Sequence, residues 1–131
     1  MKILVYDPGG TTGWAECEAT DKVLTVTNTG TFTDYLTYGK QITPYHLVVY
    51  EVVRANTLGF NPAGILSTGA LLYVAHLNNV VLIPQYPHCL AGPRKWLKGM
   101  GFKRKTDHEY DSVAHALFYA YSNKLEFEIK L

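Results

Sequence analysis

The chain has 131 residues, 47% of them apolar, with 12 basic and 11 acidic side chains and a formal net charge of +1. That length suits a single domain over 1–131 with a core of its own, and the apolar share excludes a disordered or fibrous chain. The apolar run at 3–6 is too short for a secretory segment, and the stretch at 63–75 is too short and too interrupted by Ser67, Thr68 and Gly69 to span a bilayer, so a cytoplasmic protein with no membrane partner is expected.

Residues 3–7 read as a buried strand. Residues 12–19 and 23–32 are rich in strand formers, with Thr20-Asp21-Lys22 as the turn between them, and complete a three-stranded antiparallel meander. Thr33 and Asp34 offer N-caps for a short helix that runs to about Thr43 and stops at Pro44. Residues 47–53 form a second apolar strand. Asn61 and Pro62 are the cap and first residue of a helix extending to about Asn78. Residues 80–84 are another buried strand and 91–98 a short helix. Thr106 caps a last helix over 107–121, with Val113, Leu117, Phe118 and Tyr121 as its apolar stripe. The tail from Leu125 alternates like an edge strand. A meander followed by alternating α and β predicts an α/β fold, a mixed sheet with helices on its faces. Cys17 and Cys89 match no metal or redox spacing and read as free thiols in a reducing compartment.

Charge is unevenly placed. Arg94, Lys95, Lys98, Lys103, Arg104 and Lys105 are six of the twelve basic residues, and Asp107, Glu109 and Asp111 follow at once. A cationic stretch against an acidic cluster suits a polyanion held beside a metal, although a solvated loop has the same composition.

Two acids interrupt apolar strands. Asp7 can simply cap the turn at Pro8-Gly9-Gly10. Glu51 begins no turn, and glutamate is depleted in strands, so its burial demands a cation, either Arg54 or a metal. On the last helix His108 and Asp111 are three apart, and Asp107 and Asp111 four apart, so all three share a face. If the strands at 3–7 and 47–53 are neighbours and this helix packs on them, Asp7, Glu51 and Asp111 converge. Such an oxygen-rich set with one histidine suits Mg²⁺ or Mn²⁺, two ions being the arrangement for in-line phosphodiester hydrolysis.

These motifs, Asp7-Pro8-Gly9-Gly10-Thr11-Thr12-Gly13-Trp14-Ala15, Val48-Val49-Tyr50-Glu51, and His108 through Leu117, resemble those of the RNase H-like superfamily. The likeness is to the RuvC-type Holliday-junction resolvases, including their small phage-encoded relatives. The resemblance covers nearly the whole chain. It implies an RNase H-like mixed sheet with helices on both faces, and cleavage of four-way or related branched DNA by a homodimer in the cytoplasm, the host's if phage-encoded. It implies Asp7, Glu51 and Asp111 as ligands of two Mg²⁺ or Mn²⁺ ions, Asp7 bridging both, and His108 as a further ligand or a group acting on the attacking water. Arg54 stands where the family can carry a stacking aromatic, with Phe60 further along, and Arg54 joins the basic stretch as a DNA contact. Two other readings share parts of the pattern. The YqgF-type nucleases of ribosomal RNA processing have a similar helix, matched by Asp111-Ser112-Val113-Ala114, and a non-catalytic nucleic-acid-binding module would retain the fold without needing three desolvated carboxylates. The phosphate-binding hairpin of the actin and sugar-kinase superfamily also resembles the first turn, but those enzymes close two such domains over ATP.

Overall fold

The strand Lys2–Asp7 (β1) is apolar along its length because both of its faces are covered: Ile3, Leu4, Val5 and Tyr6 are each at most 1% exposed. It pairs antiparallel with Thr12–Ala19 (β2), which pairs antiparallel with Val23–Phe32 (β3), giving the predicted meander. The structure is a computed structural model that describes residues 1–53 and 62–131. Arg54, Phe60 and the Asn61 cap lie outside the described residues.

Leu47–Glu51 (β4) runs parallel to β1 on its other edge, Val81–Gln85 (β5) runs parallel to β4, and Glu126–Ile129 (β6) runs parallel to β3. The six-stranded sheet therefore has the order β5-β4-β1-β2-β3-β6. Side chains alternate across a strand, and β1 divides accordingly. Leu4 and Tyr6 face a core with Tyr38, Ile42, Val48 and Leu71, while Ile3 and Val5 face a second core with Val49, Leu97, Val113 and Ala116. The first core is covered by Thr37–Gln41 (α1) and Pro62–Leu77 (α2), the second by Ala91–Gly99 (α3) and Asp107–Ser122 (α4). No helix among the described residues is long and apolar enough to cross a membrane. Cys17 is buried, Cys89 is partly buried, and both are free thiols.

Three local expectations are corrected. The first helix begins at Thr37, and Asp34 closes the turn before it, accepting from the Leu36 amide at 2.9 Å through its side chain and from the Thr37 amide at 3.0 Å through its carbonyl. The strand at 47 ends on Glu51 two residues early, so the acid terminates the strand instead of interrupting it. The buried face of α4 is Ser112, Val113, Ala114, His115, Ala116, Tyr119 and Ala120, with Tyr121 80% exposed. Of the expected stripe, Val113 lies in the core and Leu117 packs against it; small side chains let this helix sit close on the sheet, while Leu117, Phe118 and Tyr121 border an apolar groove with Trp96 on α3. The sequence reading also passed over a 3₁₀ turn at Pro87–Leu90, which joins β5 to α3.

Candidate functional site

Register brings the two strand acids together. β1 and β4 are parallel and paired up to Tyr6 and Tyr50, so Asp7 and Glu51 leave the sheet side by side at its carboxyl-terminal edge. Both line an open cleft of about 750 Å³ that also contains Gly9, Gly10, His88, Asp107, His108 and Asp111. Asp7, Glu51 and the His108–Asp111 pair, which the sequence places far apart, thus share one cleft.

The turn after Asp7 is anchored from below. The Thr12 hydroxyl lies 3.0 Å from the Ser67 hydroxyl and 3.3 Å from that of Tyr38, which itself lies 2.8 Å from Ser67. Thr12 also donates to the Gly9 carbonyl at 3.3 Å. This buried hydroxyl cluster ties the glycine-rich turn to α1 and α2, so Thr12 serves the turn's shape and does not face the cleft as a ligand. Gly13 has a different role. A Cβ built there would stand 2.0 Å from the His108 carbonyl oxygen, so the missing side chain admits the first turn of α4 onto β2. Thr106 caps that turn as expected, its hydroxyl accepting from the Glu109 amide at 3.1 Å.

His108 consequently lies over Asp7, with Nδ1 3.1 Å from Oδ2. Asp7 itself is buried, and its carboxyl is pushed up to about 9 by desolvation first, then by its hydrogen bond with Glu51, the charge of Glu51 and that of Asp111. Burial also acts to raise Glu51. The adjacent His115 ring and the hydrogen bond from Asp7 outweigh it and hold Glu51 below the usual carboxylate value. The pair therefore keeps one proton, on Asp7, as two neighbouring buried carboxyls must unless a cation balances them.

Asp111 is held differently. Arg94 donates to it through two nitrogens, Nε to Oδ1 at 2.8 Å and Nη2 to Oδ2 at 2.6 Å, a bidentate fork. Among the described residues no three acidic, histidine or cysteine side chains are grouped closely enough to hold an ion. The donor chemistry still matches a hard divalent cation, since three carboxylates face one cleft and Asp7 and Glu51 are already in contact. The Arg94 fork occupies one lone pair of each Asp111 oxygen and so competes with an ion for that carboxylate.

The remaining basic residues divide. Lys95, Lys98, Lys103 and Lys105 are exposed. The Arg104 Nε is 4.0 Å from Glu109, and its guanidinium lies 5.2 Å over the Phe102 ring. Sequence reasoning missed two buried polar residues at the site, His115 and Gln85. The His115 Nδ1 is 2.6 Å from Gln85 Oε1, and its Nε2 is 3.3 Å from Glu51 Oε1 but off the line of a hydrogen bond. The available signal was a histidine one turn after Asp111, on the same side of the helix.

No family model matches the sequence, and no curated protein matches it. Solved structures do. A Thermus thermophilus RuvC structure superposes with a TM-score of 0.69 over 96% of this chain and 99% of that one, at 16% identity. A structure of T. thermophilus RuvC in complex with a Holliday junction substrate gives a TM-score of 0.69 over 95% of each chain, at 18% identity. The chain has a RuvC-type fold.

Proposed function

We propose that this protein is a divalent-metal-dependent endonuclease acting on four-way junctions or related branched DNA. The observation that carries the reading is the meeting of Asp7, Glu51 and Asp111 in one cleft, at the carboxyl ends of paired parallel strands, within a fold whose solved example binds a Holliday junction. Asp7 and Glu51, buried against each other beside a glycine-lined cleft, have little structural value in themselves, because such a pair is unfavourable without a cation.

On this reading Asp7, Glu51 and Asp111 hold Mg²⁺ or Mn²⁺, two ions being the arrangement for this chemistry, with His108 as a further ligand or as a group acting on water. The ions would supply an activated water and stabilise charge on the scissile phosphate. The chain's own residues perform the rest. The Thr12 cluster fixes the glycine turn so that a phosphate can approach the backbone at Gly9 and Gly10. The exposed lysines at 95, 98, 103 and 105 attract the DNA backbone, and the Arg94 guanidinium, half exposed, is shaped to exchange the Asp111 carboxylate for a phosphate. Symmetrical cutting of a junction needs two such sites, which a two-fold homodimer supplies.

The test is cleavage of a synthetic four-way junction beside duplex, flap and RNA substrates in Mg²⁺ and Mn²⁺. The expected outcome is metal-dependent cutting of branched DNA that is lost in Asp7→Asn, Glu51→Gln and Asp111→Asn while junction binding remains. Preferential cutting of RNA would replace this reading with an RNA-processing nuclease, and tight junction binding without cutting would leave a binding module.

A further inference from the structure

A histidine with no solvent exposure sits on the sheet side of α4, between Ala114 and Ala116. An apolar side chain would fill that volume without the expense of desolvating an imidazole. His115 instead bridges two strand ends. Glu51 and Gln85 are direct neighbours in the β4–β5 pairing, and the ring spans them. Gln85, 5% exposed, presents Oε1 to the ring at 2.6 Å. Steadying a carboxylate takes an N–H at Nε2, and the Gln85 amide can meet Nδ1 in a hydrogen bond with its oxygen or, turned over, its nitrogen, as the ring's hydrogens require. That bond fixes the ring's rotation and turns its Nε2 edge toward Glu51, 3.3 Å away.

We infer that His115 and Gln85 are positioning residues that hold the Glu51 carboxylate aimed into the cleft. Neither lines the cleft, so each acts through Glu51. The inference deepens the proposed function and rests on Glu51 being a metal ligand there. Groups that orient a metal ligand from behind typically change metal affinity or activity by about 10- to 100-fold when altered.

The experiment compares full-length wild type, His115→Asn, His115→Gln and Gln85→Leu by calorimetric Mn²⁺ titration and by steady-state and single-turnover junction cleavage. An asparagine amide nitrogen replaces Nδ1 and keeps the bond to Gln85 while reaching nothing at Glu51. A glutamine amide nitrogen replaces Nε2 and reaches Glu51. His115→Asn is expected to lose roughly 10- to 100-fold in Mn²⁺ affinity and kcat with KM for the junction unchanged. His115→Gln should recover most of that loss, and Gln85→Leu should lose in the same direction as His115→Asn. If His115→Asn folds and matches wild type in Mn²⁺ affinity and kcat, the inference is overturned. It is equally overturned if the Asn and Gln variants are impaired alike, the behaviour of a core residue. Should His115→Asn fail to fold, unchanged Mn²⁺ affinity in Gln85→Leu overturns it. A wild type that neither binds Mn²⁺ nor cuts any substrate removes the proposed function and this inference together, whereas an active wild type matched by all its variants removes the inference alone.

Discussion

At the end of β1, burial and then the hydrogen bond and charge of Glu51 keep the Asp7 carboxyl protonated up to about pH 9, against an ordinary value of 3.8. The folded chain thus retains a proton that the unfolded chain releases near pH 4. Where the native state binds more protons, stability falls as pH rises. The contribution from Asp7 is therefore complete below about pH 4 and is lost progressively toward pH 9. Urea unfolding in EDTA is expected to show a lower midpoint at pH 8.5 than at pH 5, and Asp7→Asn, which cannot ionise, should flatten that dependence. Equal midpoints in wild type would show that Asp7 is ionised in the native state. Arg94 gives a second residue-scale expectation. Its fork engages both Asp111 oxygens at a half-exposed position, where an ion pair contributes at most about 1 kcal/mol. Arg94→Gln should leave unfolding nearly unchanged, raise Mn²⁺ affinity several-fold by releasing Asp111, and weaken junction binding. A fall in Mn²⁺ affinity would mean that the fork prepares the site instead of blocking it.

Among the elements, the seating of α4 on β2 decides whether a site exists. Gly13 pairs with Asp7 across β1 and β2, and the His108 backbone lies where its side chain would be. Gly13→Ala must push the start of α4 away, an overpacking that typically costs about 1–3 kcal/mol and here also separates His108 and Asp111 from Asp7. Gly69 is the control, exposed in the middle of α2 with nothing near an added Cβ. Gly69→Ala should stabilise by roughly 0.5–1 kcal/mol through helix propensity alone. Thermal unfolding with junction cleavage separates the two, since only Gly13→Ala should lose both. What the sequence revealed at this scale was local. The Thr106 cap, the Pro62 start and the end of β1 at Asp7 depend on neighbours a few residues away. The apolar stripe locates Val113 and Leu117 but not the rest of the buried face of α4, because a helix that approaches a sheet closely also turns its alanines and serine inward. His115 was hidden for the same reason: Gln85 and Glu51, the partners that explain it, come from two other strands.

For the molecule as a whole, the order of elements was enough to specify a mixed sheet with helices on both faces, because a meander followed by alternating strands and helices has few arrangements that cover every apolar strand. It did not reveal how the basic stretch divides. Arg94, half exposed, is held by Asp111, 17 residues away, a contact that exists only after α3 and α4 have docked, and Arg104 is turned back onto Glu109 and the Phe102 ring where the loop enters α4. Lys95, Lys98, Lys103 and Lys105 remain at the surface, and Lys98 borders a depression shared with Asp107 and Asp111. If DNA lies along this face, these four lysines release its counterions while Arg104 does not. Each phosphate contact contributes about 0.9 to the slope of log affinity against log salt. Lys95→Gln with Lys98→Gln, and separately Lys103→Gln with Lys105→Gln, should each lower that slope by up to about 2 for junction and duplex alike, because backbone contacts carry affinity and not sequence. Arg104→Gln should leave the slope unchanged while lowering thermal stability through its lost contacts. Fluorescence anisotropy across a salt series measures all three. A slope unmoved by either lysine pair would place the DNA on another face of the sheet, and one that falls with Arg104→Gln would show that this arginine leaves Glu109 when DNA binds.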